Sequence, residues 1–172
     1  MPPRVNEATE KRTFAVLVDN EPGVLARVVG LFSARGYNIE SLTVAETDPS
    51  THASRITIVT SGTPLILEQI RAQLERMVSI RGVHDVSSDP LGIERELALL
   101  KVKGTGEQRA EALRMADIFR VRVIDTTLES FIFEVTGAPS KIDQFANLMR
   151  PLGLVEISRT GVLSITRGPE PL

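Results

Sequence analysis

The hydrophobic pattern of the first forty residues predicts a strand followed by a helix. Residues 13–18 form a short apolar run rich in β-formers, which is typical of a strand buried on both faces. Apolar residues then recur at the three- and four-residue spacing of one helix face: Val24, Leu25, Val28, Leu31 and Phe32. Gly36 follows and predicts the end of the helix, because glycine readily adopts the left-handed conformation found after many helices.

Four more elements are predicted before residue 87. Residues 38–45 alternate polar and apolar positions, as a strand with one wet face does, and residues 54–59 predict a third strand antiparallel to it. Thr63 and Pro64 suit the N-cap and the first residue of a second helix. Its inward positions are predicted to be Leu67, Ile70, Leu74, Met77 and Val78. A short strand at residues 83–86 completes the βαββαβ order of a ferredoxin-like domain.

The same order is predicted to repeat after a turn-rich boundary at residues 87–92. Its elements are a strand at 94–102, a helix at 106–119, a hairpin of 122–126 and 131–135, a helix capped by Ser140, and strands at 155–158 and 161–165. The inward positions of its helices are predicted to be Ala110, Leu113, Ala116, Ile118, Ile142, Phe145, Leu148 and Met149. The sequence therefore predicts an α+β protein with two ferredoxin-like βαββαβ domains in tandem, at residues 11–88 and 93–168, after a flexible tail of residues 1–10.

Composition and charge exclude several classes of protein. The chain has 172 residues, a formal net charge of −2 and no cysteine. It lacks the positive charge expected of a nucleic-acid or anionic-membrane partner, and it has no thiol for disulfides, metal binding or catalysis. The first residues contain no apolar segment of a secretory signal, and no apolar run is long enough to span a bilayer. We therefore expect a cytoplasmic protein that binds neither nucleic acid nor membranes.

The junction between the first strand and the first helix, residues 19–25, is the best candidate for a binding site. Pro22 suits the first helical turn, and Gly23 removes a side chain where the first free amides of the helix emerge. With the Asn20 amide beside them, these partly positive N–H groups predict a site for a small anion such as a carboxylate. The alternative is a capped strand-to-helix turn without a ligand.

Asn38 is the second candidate, at the start of a strand that a ferredoxin-like sheet places on its edge. It is either a turn residue or part of a site formed between two chains. If the edge strand pairs with its copy across a two-fold axis, Asn38 and Ile39 of one chain approach the 20–25 loop of the other. Such pairing would also cover exposed apolar residues of the edge.

No constellation in the sequence predicts an active site. His52 and His84 have no patterned acidic partner nearby and are interpreted as surface or edge residues. The segment 104–106 precedes a helix but lacks the Gly-Lys-Ser/Thr ending of a phosphate-binding loop. RNA-binding domains share the βαββαβ order, but the predicted third strand, 54–59, has no aromatic residue on which a base would stack. We expect no catalytic residue and no metal site in this chain.

Residues 19–25 look like the ligand-loop signature of ACT domains, which are ferredoxin-like modules that sense amino acids. Residues 27–44 closely resemble the regulatory, or small, subunits of acetolactate synthase, also called acetohydroxyacid synthase. Further segments are similar to the same family: 54–59 and 67–70 in the first half, and 95–99, 123–125 and 159–161 in the second. The departures are mild, since Asp19 stands where glutamate is common and Phe131 and Phe133 are bulkier than usual.

The resemblance implies a non-catalytic subunit that forms a homodimer through its ACT domains and binds a catalytic large subunit. The large subunit condenses two pyruvates to 2-acetolactate, and thiamine diphosphate, Mg²⁺ and FAD are expected on it, with no cofactor in this chain. The small subunit is expected to raise that activity and to confer feedback inhibition by valine or a related amino acid. The implied ligand-binding residues are Asn20, Glu21, Pro22, Gly23, Val24, Leu25, Asn38 and Ile39. Backbone amides near Gly23 and Val24, with the Asn20 amide, would hold the carboxylate.

The remaining parts of the expected site follow from the same resemblance. Asn38 of a second chain would hold the polar end of the amino acid, and Val24, Leu25 and Ile39 would line its aliphatic side. Two alternatives of other classes stay open at this point. One is a freestanding ACT-type sensor that regulates a different enzyme or a transcription factor, and the other is an enzyme in its own right.

Overall fold

The computed structural model of the protein describes residues 8–172, which fall into two compact units. The first unit runs to Ile93 and also includes Ser164–Leu172, and the second spans Glu94–Leu163. Most of the predicted tail, residues 1–10, lies outside the described residues. Glu10 is already the first residue of a strand.

The first unit is a four-stranded antiparallel sheet with two helices on one face. Its elements are β1 (Glu10–Asp19), α1 (Val24–Arg35), β2 (Ser41–Asp48), β3 (Ala53–Gly62), α2 (Pro64–Glu75) and β4 (Ile80–Asp85). The strand order β2-β3-β1-β4 is that of a ferredoxin-like sheet, with β2 on one edge and β4 on the other. This confirms the predicted fold of the first half and the edge position of the second strand.

The core of the first unit lies between the sheet and its two helices. Alternate residues of the central strands, such as Phe14 and Val16 in β1 and Ile56 in β3, are buried against Val28 of α1 and Leu67 of α2. Because side chains alternate along a strand, their neighbours point to the other face of the sheet.

That other face is buried too at its centre, where Ala15 and Thr57 are 5% and 2% exposed. The C-terminal segment Ser164–Leu172 contributes to the cover, since the carbonyl of Ser164 accepts a hydrogen bond from Arg55 on β3. The prediction that β1 is buried on both faces is therefore confirmed.

The second unit repeats the architecture. Its elements are β5 (Gly92–Lys103), α3 (Gly106–Ile118), β6 (Arg122–Thr126), β7 (Ser130–Gly137), α4 (Pro139–Met149) and β8 (Leu154–Arg159). A last strand, β9 (Leu163–Thr166), follows, and all of it except Leu163 belongs to the first unit. The strands follow the order β6-β7-β5-β8, and β9 pairs with β5. The core contains a cluster of aromatic rings, with Phe133 and Phe145 at 5.7 Å between ring centroids, and Leu100 of β5 is fully buried beside them. The fold class predicted from the sequence is confirmed in both halves.

Several inward-facing positions were predicted wrongly. Val78 is 84% exposed because α2 ends at Glu75, three residues before it. In α3 the buried face carries Ala112 and Ala116, whereas the predicted Ala110, Leu113 and Ile118 are exposed. In α4, Leu148 is exposed, and Ala146 is buried in addition to the predicted Ile142, Phe145 and Met149. The buried alanines of both helices belong to the core cluster of the second unit.

One helix start is confirmed and one is corrected. The Thr63 side chain accepts a hydrogen bond from the N–H of Ile66, and Pro64 is the first residue of α2, as predicted. Ser140 is not a cap, because α4 already begins at Pro139 and Ala138 precedes it. Among residues 8–172, no helix is long and apolar enough to cross a membrane.

Candidate functional site

The candidate site lies where β1 passes into α1. The chain turns at Pro22 and Gly23, and the helix begins at Val24. Pro22 therefore lies before the helix. The prediction that it occupies the first helical turn is wrong. Gly23 occupies the N-cap position with φ +86° and ψ −5°, a left-handed conformation that L side chains rarely adopt. Glycine is favoured here because it adopts this conformation without strain.

The first amides of α1 are largely free. The N–H of Val24 donates to the Glu21 carbonyl at 3.3 Å, so this amide is engaged, contrary to the expectation that it would be free. Within the described part of the chain, no hydrogen-bond partner is found for the N–H of Gly23 or Leu25. No side chain caps the helix, and no acidic residue lies in its first turn. The positive end of the helix dipole thus faces solvent with unpaired donors, which favours an anion.

The loop that leads into the helix is held by hydrogen bonds to neighbouring elements. The backbone N–H of Asn20 donates to the His52 carbonyl at 2.7 Å, and its side-chain amide donates to the Glu46 carboxylate at 3.2 Å. The Glu21 carboxylate accepts a hydrogen bond from the Ser79 hydroxyl at 2.8 Å. The loop is therefore positioned before any ligand arrives. One of the two Asn20 amide hydrogens is already used by Glu46.

The side chains near the loop differ in what they can offer a ligand. Val24 is 4% exposed and packs in the core, so its side chain cannot line the aliphatic side of a ligand as was expected. Leu25 is 41% exposed and is available for an apolar contact.

The structure does not bring Asn38 and Ile39 to the loop within one chain. They follow the C-terminal end of the twelve-residue helix α1, and the loop 20–25 precedes its N-terminal end. At 1.5 Å per residue, the two ends are separated by about 18 Å. Asn38 is exposed, and its carbonyl accepts a hydrogen bond from the Thr60 hydroxyl at 2.6 Å. A site that contains both groups needs a second copy of the chain.

The sequence analysis missed the acidic partner of His84. His84 on β4 lies 2.8 Å from the carboxylate of Asp89, although no acidic partner was expected for it. The N–H of Leu91 and the His84 ring both lower the pKa of Asp89. The turn after β4 brings Asp89 back to His84. The hydrophobic pattern does not predict this contact. Among the described residues, no group of three or more His, Cys, Asp or Glu side chains could hold a metal ion.

Family models match most of the chain. Residues 14–81 match the model described as the AHAS small subunit-like ACT domain, and residues 95–168 match the model described as the small subunit of acetolactate synthase. The first match contains residues 20–25 together with Asn38 and Ile39.

Curated proteins and a solved structure agree with these matches. A probable acetolactate synthase small subunit of Archaeoglobus fulgidus is 45% identical over 158 residues, which cover 92% of this chain and 98% of that protein. The isozyme 3 small subunit of Escherichia coli is 43% identical over 159 residues, covering 92% and 96%. The crystal structure of the acetolactate synthase small subunit from Thermotoga maritima has a TM-score of 0.79 at 37% identity, covering 94% of this chain and 99% of that one. The chain therefore belongs to the family of acetolactate synthase small subunits.

Proposed function

We propose that this chain activates the catalytic large subunit of acetolactate synthase and confers feedback inhibition on it by valine or another branched-chain amino acid. Family membership supports the regulatory role. The observation that supports an amino-acid ligand is the geometry at the start of α1. There Gly23 is left-handed, and the N–H groups of Gly23 and Leu25 have no partner among the described residues. Free helix amides are suited to the carboxylate of an amino acid.

In the proposed binding mode, the ligand carboxylate accepts hydrogen bonds from the N–H groups of Gly23 and Leu25. Asn20, Glu21 and Pro22 shape the loop, and Val24 contributes its backbone at the start of the helix. The exposed side chain of Leu25 contacts the aliphatic part of the ligand. Asn38 and Ile39 of a second copy complete the site, since they lie at the far end of α1 in their own chain.

The second copy is proposed to dock through the edge strand β2. Edge strands present unpaired backbone groups, and β2 also exposes Val44 at 45%. Pairing of β2 with its copy would form a continuous sheet across a two-fold axis. Sedimentation of the purified chain should give a mass of at least two chains of 18.8 kDa. A stable monomer at micromolar concentration would contradict the shared site.

The chemistry is proposed to reside entirely in the large subunit. That subunit condenses two pyruvates to 2-acetolactate with release of CO₂, and thiamine diphosphate, Mg²⁺ and FAD are placed on it. The small subunit acts in the cytoplasm by shifting the large subunit between two states. Differential binding worth about 1–3 kcal/mol is sufficient for such coupling. The alternative of a freestanding sensor is less well supported, because both halves of the chain match one small-subunit family.

The deciding experiment is reconstitution with the large subunit. The chain should co-purify with it and raise its turnover of pyruvate, and valine should reverse that increase. The chain alone, with thiamine diphosphate and Mg²⁺, should form no acetolactate. Turnover by a preparation free of large subunit, or an unchanged rate on addition of this chain, would overturn the proposal.

A further inference from the structure

A cavity of about 320 Å³ lies on the face of the first sheet opposite to its helices. On β1, Leu17 pairs with Arg55 of β3 on one side and with Gly82 of β4 on the other, and Ala15 pairs with His84. Directly paired residues of neighbouring strands point to the same face, so these side chains line one surface. Leu172 of the C-terminal segment forms another wall of the cavity.

Arg55 supplies the charge of this cavity. Its side chain is partly buried, and its Nη2 donates to the Ser164 carbonyl at 2.7 Å. Its Nε is screened from solvent and has no hydrogen-bond partner. Among residues 8–172, no carboxylate forms an ion pair with Arg55. Burial without such a partner lowers the pKa of Arg55. A cation in this position carries a desolvation cost that an anion would offset.

The other two basic side chains of the cavity are already paired. Arg81 contacts the Asp19 carboxylate and donates to the Thr51 carbonyl at 2.9 Å. His84 is paired with Asp89. Arg55 is therefore the basic side chain of the cavity that has no carboxylate partner among the described residues. The remaining walls, which include Leu17 and Leu172, are apolar.

We propose that this cavity binds a small aliphatic carboxylate that carries no ammonium group. Arg55 lines the cavity and would bind the carboxylate through its guanidinium group, and the apolar walls would cover the hydrocarbon part. An amino acid is disfavoured, because no lining side chain is a carboxylate and its ammonium group would lie close to Arg55 without a partner. The apolar walls also disfavour inorganic phosphate. The proposal is separate from the amino-acid site at Gly23 and does not depend on it.

Gly82 provides room in this cavity and a way to close it. A Cβ built on Gly82 meets no atom within 4 Å, and this glycine is not in the left-handed conformation. Valine is favourable in a strand, so Gly82→Val should fold normally and fill part of the cavity. This variant removes the space and leaves Arg55 unchanged.

The test uses two acids with the same carbon skeleton, 3-methylbutanoate and valine, which differ only in the ammonium group. Titration of the full chain by calorimetry, with NMR to locate the shifts, should show 3-methylbutanoate at β1, β3 and β4. Arg55→Gln and Gly82→Val should each weaken it by at least about tenfold, since a charge-assisted hydrogen bond is lost or the space is filled. Arg55→Lys should retain part of the binding. Arg71→Gln, which removes an exposed arginine paired with Glu75 on α2, is the matched control and should bind as wild type.

Two results would count against the site. If Gly82→Val binds 3-methylbutanoate as wild type does, the ligand lies elsewhere. If inorganic phosphate or valine produces the same shifts with equal affinity, the proposed selectivity is wrong. Should Arg55→Gln fail to fold, Gly82→Val still decides the question. Loss of valine binding in a Gly23 variant should leave 3-methylbutanoate binding unchanged, which separates this site from the proposed function.

Discussion

The two units share one topology but begin their first helices differently. In the first unit, α1 has no acidic residue in its first turn and no side-chain cap. In the second, α3 carries Glu107 in its first turn. A carboxylate there already interacts with the positive helix end and repels a second anion. Two units of the same fold therefore differ in the charge at one helix end, which is why the amino-acid site is proposed for the first unit alone.

Gly23→Asp should have the largest effect, because it gives α1 the kind of charge that Glu107 gives α3. Two like charges about 4 Å apart repel by about 4 kcal/mol at an effective dielectric near 20, which weakens ligand binding by several hundredfold. Inhibition of the reconstituted enzyme by valine should disappear while activation remains.

Gly23→Asn is the control for this variant. Asparagine and aspartate tolerate the left-handed conformation similarly, so the two variants carry the same backbone strain and differ in charge. The site would be misplaced if the aspartate variant were still inhibited at the wild-type valine concentration. If both variants lost inhibition equally, charge repulsion would not be the cause.

The next largest effect concerns stability, and it compares a buried ion pair of the second unit with an exposed pair of the first. In the second unit, Glu96 is 4% exposed and both of its oxygens accept hydrogen bonds from Arg159, at 2.8 and 2.6 Å. Arg159→Gln leaves this buried carboxylate without its cation and should lower the free energy of unfolding by about 3 kcal/mol.

Arg81→Gln is the matched variant in the first unit. The Arg81–Asp19 pair is exposed by more than a third on each side, so its loss should cost only about 0.5 kcal/mol. Urea unfolding of both variants measures the difference. Equal losses would mean that burial does not distinguish the two pairs.

The ends of α1 and α3 provide a smaller test. The N–H of Tyr37 donates to the Phe32 carbonyl, and the N–H of Val121 donates in the same way to Ala116. In each case the residue before the donor is left-handed. It is Gly36 after α1, with φ +69°, and Arg120 after α3, with φ +55°. The same helix ending is built with glycine in one unit and with arginine in the other.

Exchanging these residues should change stability in opposite directions. Gly36→Ala should lose about 1 kcal/mol, and Arg120→Gly should gain about 0.5 kcal/mol as the strain of a side chain is removed. Arg114→Gly, inside α3, is the control and should lose about 1 kcal/mol through lower helix propensity. Thermal unfolding measures all three. A destabilised Arg120→Gly would show that its side chain contributes more than its strain costs.

The smallest expected effect is a dependence on pH. A hydrogen bond from Lys11, and a second from Ser61, lower the pKa of Glu40 below 4.5. Because the folded-state pKa is depressed, this carboxylate stabilises the fold fully above about 4.5, and the contribution is lost as pH falls through the lower value. Wild type should exceed Glu40→Gln in stability at pH 7, and the gap should close towards pH 3. A gap that stays constant over this range would contradict the assignment.

Local signals in the sequence were sufficient for much of the fold. The alternation in residues 38–45, the helical spacing after Val24, and the capping pair Thr63 and Pro64 all concern neighbours within about one helical turn. Such interactions are present in any short segment, so the sequence alone determined the order of elements and the fold class. The sequence alone also indicated that Gly23 lies at the junction between the first strand and the first helix, but its positive φ became evident only in the structure.

Tertiary structure decided which residues face the core and which charged groups meet. Leu113, Leu148 and Val78 are as apolar as their buried neighbours, but the sheet contacts only one strip of each helix, and α2 ends before Val78. Arg55 and Ser164 are 109 residues apart in sequence, and they meet because the C-terminal segment returns to the first sheet. The periodicity of hydrophobic residues does not predict such long-range contacts. Loop-closure entropy allows a distant segment to meet many surfaces, and the packing of the whole molecule selects one.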